Sequence, residues 1–317
     1  MRLSIIAVVS LFCVLVAGCG GGEDSSSNGK LNAVTTLSLF ADFVREIGGD
    51  RVEVTSLLPA GADPHTWEPS PGDIRAVTKA DIAFANGLDL EPGAVSVIEP
   101  NLSDSASLVV LGEEAEKAGA AVAVLPEGFE EEEEEGGSGA DHGDDPHLWM
   151  DPGNVVLYAG IIRDALVEND PDGKSSYDGN YESYISQVGE VDQYIADKIA
   201  DIPRENRKLV TTHDAFGYFS SAYGLSIVAF VAPEPGQEAS PEDIAKVTRA
   251  LREQAVPAVF VEPQVHSEGE ILRQAAEETA VQICTLYSDS LDDTVSTYLE
   301  LMRFNADELA RCLGAGA

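Results

Sequence analysis

Apolar residues along this chain fall into two recurring patterns. Short runs rich in Val, Ile, Leu and Ala, without clean polar alternation, occur at Asn32–Thr36, Val52–Leu58, Asp81–Asn86 and Ser107–Leu111. A second set occurs at Lys208–Thr212, Ser226–Phe230, Ala258–Val261 and Gln282–Leu286. Runs that are apolar on both faces are the mark of parallel strands covered by helices on each side. Helical periodicity fills the intervals, at Leu39–Ile47, Pro71–Lys79, Val155–Val167, Pro241–Gln254 and Gly269–Thr279. Ser240-Pro241-Glu242-Asp243 reads as a helix start: a serine cap, proline in the first turn, then acids where the helix dipole favours them.

A different pattern separates the two sets. From Ser175 to Ile202, Tyr177, Tyr181, Tyr184, Ile185, Val188, Val191, Tyr194, Ile195 and Ile199 recur mostly at three- and four-residue steps. One helix of about 26 residues would be roughly 39 Å long, enough to traverse a domain. The alternative is two shorter helices broken near Gly189, because an interior glycine costs about 1 kcal/mol. The expected class is therefore α/β: two α/β lobes with parallel sheets, residues 31–174 and 203–317, joined by one long α-helix over 175–202.

Composition narrows the function. The 317 residues carry 19 Lys+Arg against 56 Asp+Glu, a formal charge of −37. That excess excludes a nucleic-acid partner, which needs a basic face, and argues against docking on anionic lipid through a polybasic patch. The 44% hydrophobic and 7% aromatic content is ordinary for a chain with a packed core. Part of the acid is local: residues 127–145 hold Glu127, Glu130, Glu131, Glu132, Glu133, Glu134, Glu135, Asp141, Asp144 and Asp145, one His142, and no Lys or Arg. Such a segment is expected to repel itself into a mobile loop, acting either as a solvated spacer or as a weak collector of cations.

The N-terminus supplies an address. Arg2 precedes an uncharged run from Leu3 to Gly18, shorter than the roughly 20 residues that span a bilayer, so residues 1–18 read as a signal peptide. Val16-Ala17-Gly18-Cys19 resembles a bacterial lipobox, which implies cleavage before Cys19, lipidation of that residue, and a flexible tether over 19–30. The protein is thus expected outside the cytoplasm, lipid-anchored to the membrane. Cys13 leaves with the signal and Cys19 takes the lipid, so Cys284 and Cys312 remain as a disulfide pair or as two buried thiols.

The candidate chemistry rests on histidines, of which there are five. Asp63-Pro64-His65-Thr66-Trp67 and Asp145-Pro146-His147-Leu148-Trp149 repeat the pattern Asp-Pro-His-x-Trp and contain both tryptophans of the chain. Proline fixes its own φ and biases the preceding aspartate towards extended backbone, so each loop presents its imidazole from a stiff chain beside an apolar wall. His213 follows one strand pattern and Asp289 another, while His65 follows the second strand. Loops at the carboxyl ends of strands build the crevice of α/β sheets. Three imidazoles and one carboxylate can complete a tetrahedral zinc sphere, with Asp214 among the acids available to orient imidazoles and Glu262 expected to line the cleft or support a ligand. The ligand separations match no compact zinc-finger spacing, so the signal lies in context. His266 reads as a helix-start or surface residue, and Asp292-Asp293 as acids at a helix start.

At these residues the chain resembles a known family, the zinc and manganese solute-binding proteins that deliver metal to ABC importers. The resemblance rests on Pro64-His65-Thr66-Trp67-Glu68-Pro69-Ser70-Pro71, Asp145-Pro146-His147-Leu148-Trp149-Met150-Asp151-Pro152, Thr212-His213-Asp214-Ala215-Phe216-Gly217-Tyr218-Phe219, Val261-Glu262-Pro263-Gln264 and Tyr287-Ser288-Asp289-Ser290-Leu291. It implies a metal held in the cleft between the lobes by His65, His147, His213 and Asp289, carried as cargo to a membrane permease by a monomeric receptor. It also permits a secondary adhesin role. Members with glutamate in place of His213 are typically manganese proteins, so the histidine implies zinc, with manganese as runner-up. Imidazole-rich sites suit zinc in any case, and manganese prefers more oxygen. The competing class is a zinc hydrolase with Asp214 or Glu262 as base. Against it, Asp289 closes the sphere, and the chain contains neither a His-Glu-x-x-His segment nor a nucleophile elbow.

Overall fold

A computed structural model describes residues 29–121, 145–233, 235–237 and 239–314. The signal peptide, Cys19, most of the tether, His142 and Glu130–Glu135 lie outside the described residues.

The N-terminal half opens with β1 (Leu31–Thr35), α1 (Ser38–Gly48), β2 (Val52–Ser56), α2 (Pro71–Thr78), β3 (Ile82–Ala85), α3 (Pro92–Asn101), β4 (Ser107–Val110) and α4 (Leu111–Lys117). Its four strands form one parallel sheet in the order β2-β1-β3-β4. All four residues of β3 are buried, as a central strand covered on both faces requires. Next come α5 (Pro152–Asn169) and the long α6 (Lys174–Ala200). The C-terminal half contains β5 (Lys208–His213), α7 (Gly217–Tyr223), β6 (Ser226–Ala232), α8 (Pro241–Glu253), β7 (Ala258–Val261), α9 (His266–Thr279), β8 (Gln282–Thr285) and α10 (Tyr298–Leu313). Its strands pair in parallel, as expected, in two ribbons, β5-β6 and β7-β8, with β5 lying beside β7.

The strand ends differ from the apolar runs for a physical reason. Leu57, Leu58 and Leu286 fall outside their strands, yet their N–H groups still donate to the carbonyls of Thr35, Thr36 and Val261. Each run therefore continues as paired extended chain into the loops beyond the sheet. Helix starts follow their caps. The Ser240 and Ser70 side chains form capping boxes with Asp243 and Asp73. The Asp151 carboxylate accepts from the Gly153 N–H, so α5 begins at Pro152, three residues earlier than its apolar pattern. Asp292 and Asp293 do not start a helix, contrary to expectation. Asp292 accepts from the N–H groups of Thr294 and Val295 and from the Tyr287 hydroxyl, closing a turn ahead of α10.

The connector is a single helix of 27 residues that runs through Gly189 without a break. Tyr177, Tyr184, Val188, Val191, Ile195 and Ile199 bury one stripe of it against α1, α5 and α10. Tertiary packing of that stripe outweighs the propensity penalty of one glycine. The same apolar cluster continues from Phe40 and Phe43 on α1, through Tyr158 and Tyr184, to Tyr298 and Leu313 on α10. One core thus runs through both halves of the chain. Cys284 on β8 and Cys312 on α10 form a disulfide that pins the last helix to the last strand. Among the described residues no helix is long and apolar enough to cross a membrane.

Candidate metal centre

The four residues singled out by the sequence arrive from four separate elements. His65 lies in the loop between β2 and α2, His147 just ahead of the short 3-10 turn Leu148–Met150 that precedes α5, His213 at the end of β5, and Asp289 just beyond β8. Their ligand atoms all lie within 4.8 Å of one another. The imidazole centroids form a nearly equilateral triangle, 5.6, 5.6 and 5.3 Å on a side.

The repeated Asp-Pro-His segments are one local device used twice. In the first, the Asp63 carboxylate accepts from the His65 N–H at 2.9 Å and from the Thr66 hydroxyl at 2.9 Å. In the second, Asp145 accepts from the His147 N–H at 3.0 Å. A carboxylate that binds the amide two residues on makes an Asx turn, and the proline between them stiffens it. The sequence argument credited the proline and missed the aspartate. Asp145 does more, because its Oδ1 also lies 2.8 Å from His147 Nδ1.

Each buried imidazole is oriented by a carboxylate. His213 Nδ1 stands 3.1 and 3.0 Å from the two oxygens of Glu262, and His147 Nδ1 faces Asp145. A ring that donates its Nδ1–H to a carboxylate turns the lone pair of Nε2 towards the centre. Of the two acids expected to support the ligands, Glu262 takes that place at His213. The Asp214 N–H donates to the Pro233 carbonyl. His266 is exposed at the start of α9, as expected.

Among the described residues, the atoms facing the centre have no hydrogen-bond partner. Nε2 of His65, His147 and His213 and Oδ1 of Asp289 are all buried and unpaired. Orphaned buried polar atoms are costly, and these four converge as a donor set of the kind that holds a cation. Distances agree: His147 Nε2 lies 3.4 Å from Asp289 Oδ1, and His213 Nε2 lies 3.4 Å from Asp289 Oδ2. A tetrahedral zinc site with bonds near 2.0–2.1 Å places its donor atoms about 3.3 Å apart. The donor set and its spacing fit a divalent transition metal.

The charge state of the centre follows from burial and from Asp289. At His65 burial dominates and lowers the imidazole to about 3, so this ring is neutral across the physiological range. Burial also acts against a proton on His147 and His213, but Asp289 with Asp145 raises the first, and Glu262 with Asp289 raises the second further. Burial would lift Asp289, yet His147 and His213 together hold its carboxyl below the usual range.

The two tryptophans play unequal parts. Trp149 is fully buried, lies edge-on to His147 at 5.4 Å, and donates its indole N–H to the Ser288 carbonyl, next to Asp289. It therefore walls the centre and ties the His147 turn to the Asp289 loop. Trp67 is only half-buried and packs against a separate cluster with Val34 and Leu57. Sequence reasoning also missed Gln264 and Ser288. Gln264 Nε2 donates to Ser288 Oγ at 2.7 Å and to Asp289 Oδ2 at 3.3 Å, and the Ser288 hydroxyl donates to Glu262 at 2.5 Å. Their only signal was adjacency to Glu262 and Asp289.

Comparison with known proteins places the chain among metal-binding receptors. Residues 33–312 match the model of a family described as zinc-uptake complex component A, periplasmic. The manganese-binding lipoprotein MntA of Halalkalibacterium halodurans is 33% identical over 306 residues, covering 95% of each chain. The metal ABC transporter substrate-binding lipoprotein FimA of Streptococcus parasanguinis is 32% identical and covers 98% of each. Among solved structures, the periplasmic zinc-binding protein TroA of Treponema pallidum superposes with a TM-score of 0.78 at 29% identity, covering 90% of this chain and all of that one.

Proposed function

This chain belongs to the zinc-uptake component A family, the metal-binding receptors of ABC importers, and we propose that within that family it captures zinc and hands it to a membrane permease. The hydrolase reading is set aside, because the family and the relatives are transport receptors and not enzymes.

One observation carries the choice of site: three unpartnered imidazole nitrogens and one unpartnered carboxylate oxygen converge in a buried pocket. On this reading His65, His147, His213 and Asp289 hold the cargo, while Asp145 and Glu262 fix the rings of His147 and His213. Three nitrogens and one oxygen support zinc over manganese, since manganese is better served by oxygen-rich spheres. The name of MntA favours manganese as the second candidate.

The route of capture follows from burial. His147, His213 and Asp289 are almost fully buried, whereas His65 is only partly so and stands on a loop. The core shared by both halves through α6 opposes a wide hinge. Metal entry is therefore a local movement of the His65 loop onto three prearranged donors. Lipidation at Cys19 would hold the receptor on the outer face of the membrane, and segment 127–145 would act there as a cation collector or a spacer.

The test is metal analysis of protein purified without chelators, followed by competitive zinc and manganese titration. Zinc retained in preference to manganese, and a zinc-induced rise in melting temperature that disappears in His65→Ala, His147→Ala and His213→Ala, is expected. A rise of undiminished size in all three variants refutes the site. Manganese retained in preference to zinc refutes the cargo alone.

A further inference from the structure

Asp289 turns both oxygens towards the imidazoles. Oδ1 lies 3.4 Å from His147 Nε2 and Oδ2 lies 3.4 Å from His213 Nε2, so these contacts do not distinguish them. A carboxylate placed this way can offer a cation one oxygen or two. What breaks the symmetry is Gln264, whose amide donates to Oδ2, while Oδ1 has no hydrogen-bond partner among the described residues.

The orientation of that amide is fixed by its neighbours. The Ser288 hydroxyl gives its only hydrogen to Glu262 Oε2, so Ser288 Oγ is left as an acceptor and must face the NH2 end of Gln264. Turning the amide over would set its carbonyl oxygen against the hydroxyl oxygen and the Asp289 carboxylate together. Glu262 is in turn held by His213 Nδ1 and the Thr212 hydroxyl. A chain of hydrogen bonds thus runs from one proposed ligand, His213, through Glu262, Ser288 and Gln264, to another, Asp289. Every member is buried.

We propose that Gln264 is a specificity-determining residue of this centre: by occupying Asp289 Oδ2 it leaves one carboxylate oxygen for the cargo and favours a four-donor cation over one that takes a larger, oxygen-rich sphere. The inference rests on the reading of the centre as a metal site. It concerns selectivity between cations, whereas the ligands themselves decide whether any cation binds. A donor on one oxygen weakens that oxygen as a ligand and fixes the rotation of the carboxylate, and positioning partners of this kind shape metal preference.

The experiment compares the wild-type chain with Gln264→Met, which keeps length and removes the donor, and with Ser288→Ala, which removes the acceptor that orients the amide. Zinc and manganese affinities are measured by competition, and cobalt(II) is used as a spectroscopic probe of donor number. In Gln264→Met the zinc-to-manganese affinity ratio falls by about tenfold, the scale of one hydrogen bond to a charged group. The visible cobalt bands weaken as the sphere gains a donor. Ser288→Ala moves both readouts in the same direction by less, and it carries the test if Gln264→Met does not fold. An unchanged ratio and cobalt spectrum, or equal weakening of both metals with an unchanged spectrum, overturns the role of Gln264 alone. Failure of the wild-type chain to bind zinc, manganese or cobalt overturns the receptor reading, and this inference with it.

Discussion

Glu91 gives the sharpest test of the electrostatics of the buried interior. It is 1% exposed, its Oε1 accepts from the Thr36 hydroxyl at 2.8 Å and the Asn86 N–H at 2.6 Å, and its Oε2 has no partner among the described residues. Burial outweighs those donors and pushes its carboxyl from 4.5 up to about 7. A folded-state value above the unfolded one means that the folded chain holds the proton more tightly, so stability is lost as pH rises from about 4.5 to about 7. At 1.36 kcal/mol per pH unit, that loss is about 3 kcal/mol. Glu91→Gln replaces the protonated acid by a neutral group of the same shape and removes the titration. Metal-free wild type and variant are unfolded in urea at pH 4, 5.5 and 7.5. The stability of the variant relative to wild type should rise by about 3 kcal/mol across the series. Asp42 and Asp63, both raised to about 6 mainly by burial, tilt the two proteins alike and cancel in the difference. A difference constant to within about 0.5 kcal/mol, the level at which independent sites add, would show that Glu91 is ionised in the fold at no cost.

Three further outcomes are expected. Because His147 and His213 hold protons more firmly than ordinary imidazoles in the metal-free chain, zinc must displace them. Calorimetry at pH 6 in buffers of different ionisation enthalpy should therefore show proton release and an affinity that climbs with pH, and a buffer-independent enthalpy would contradict this. Gly189→Ala should raise stability by about 0.5–1 kcal/mol in thermal melts, since a methyl there meets nothing within 4 Å and the backbone is already helical. A lower melting temperature would point to an unseen packing role. Reduction of Cys284–Cys312, which closes a separation of 28 residues, should destabilise the chain by about 3–4 kcal/mol in denaturant. A loss under about 1 kcal/mol would mean that the packing of α10 leaves the bond little to add.

The parts of this protein that were legible in the sequence are those where a residue type is rare or a period is long. Only five histidines occur in 317 residues, and two of them share a five-residue context, so the imidazoles stood out. The α6 stripe, from Tyr177 to Ile199, extends over about six turns, long enough to override Gly189 as a breaker. The supporting residues were hidden for the opposite reason. Gln264 and Ser288 are common types whose meaning comes from a contact across 24 positions, between the loop after β7 and the loop after β8. Nothing local in Gln264 announces an amide aimed at a carboxylate. The same limit explains Asp292, where adjacent acids fit a helix start on propensity, but the actual bonds are to a turn and to Tyr287.

The second layer shows what strand patterns leave open. Each apolar run of the C-terminal half became a strand, but β5-β6 and β7-β8 pair within themselves, and β5 only lies beside β7. The ends of both strands lie next to the centre. His213 ends β5, Glu262 follows β7, and the side chain of Glu262 reaches back to His213 Nδ1, to its N–H at 3.4 Å and to Thr212. Side-chain bonds of Glu262 thus link the two ribbons, between which the strands form no ladder among the described residues. An acid so placed satisfies one backbone donor and one hydroxyl donor, and it orients a proposed metal ligand with the same two oxygens. Loss of Glu262 should therefore weaken the junction and the centre together, whereas loss of Gln264 should leave the junction intact and change only which cation is preferred.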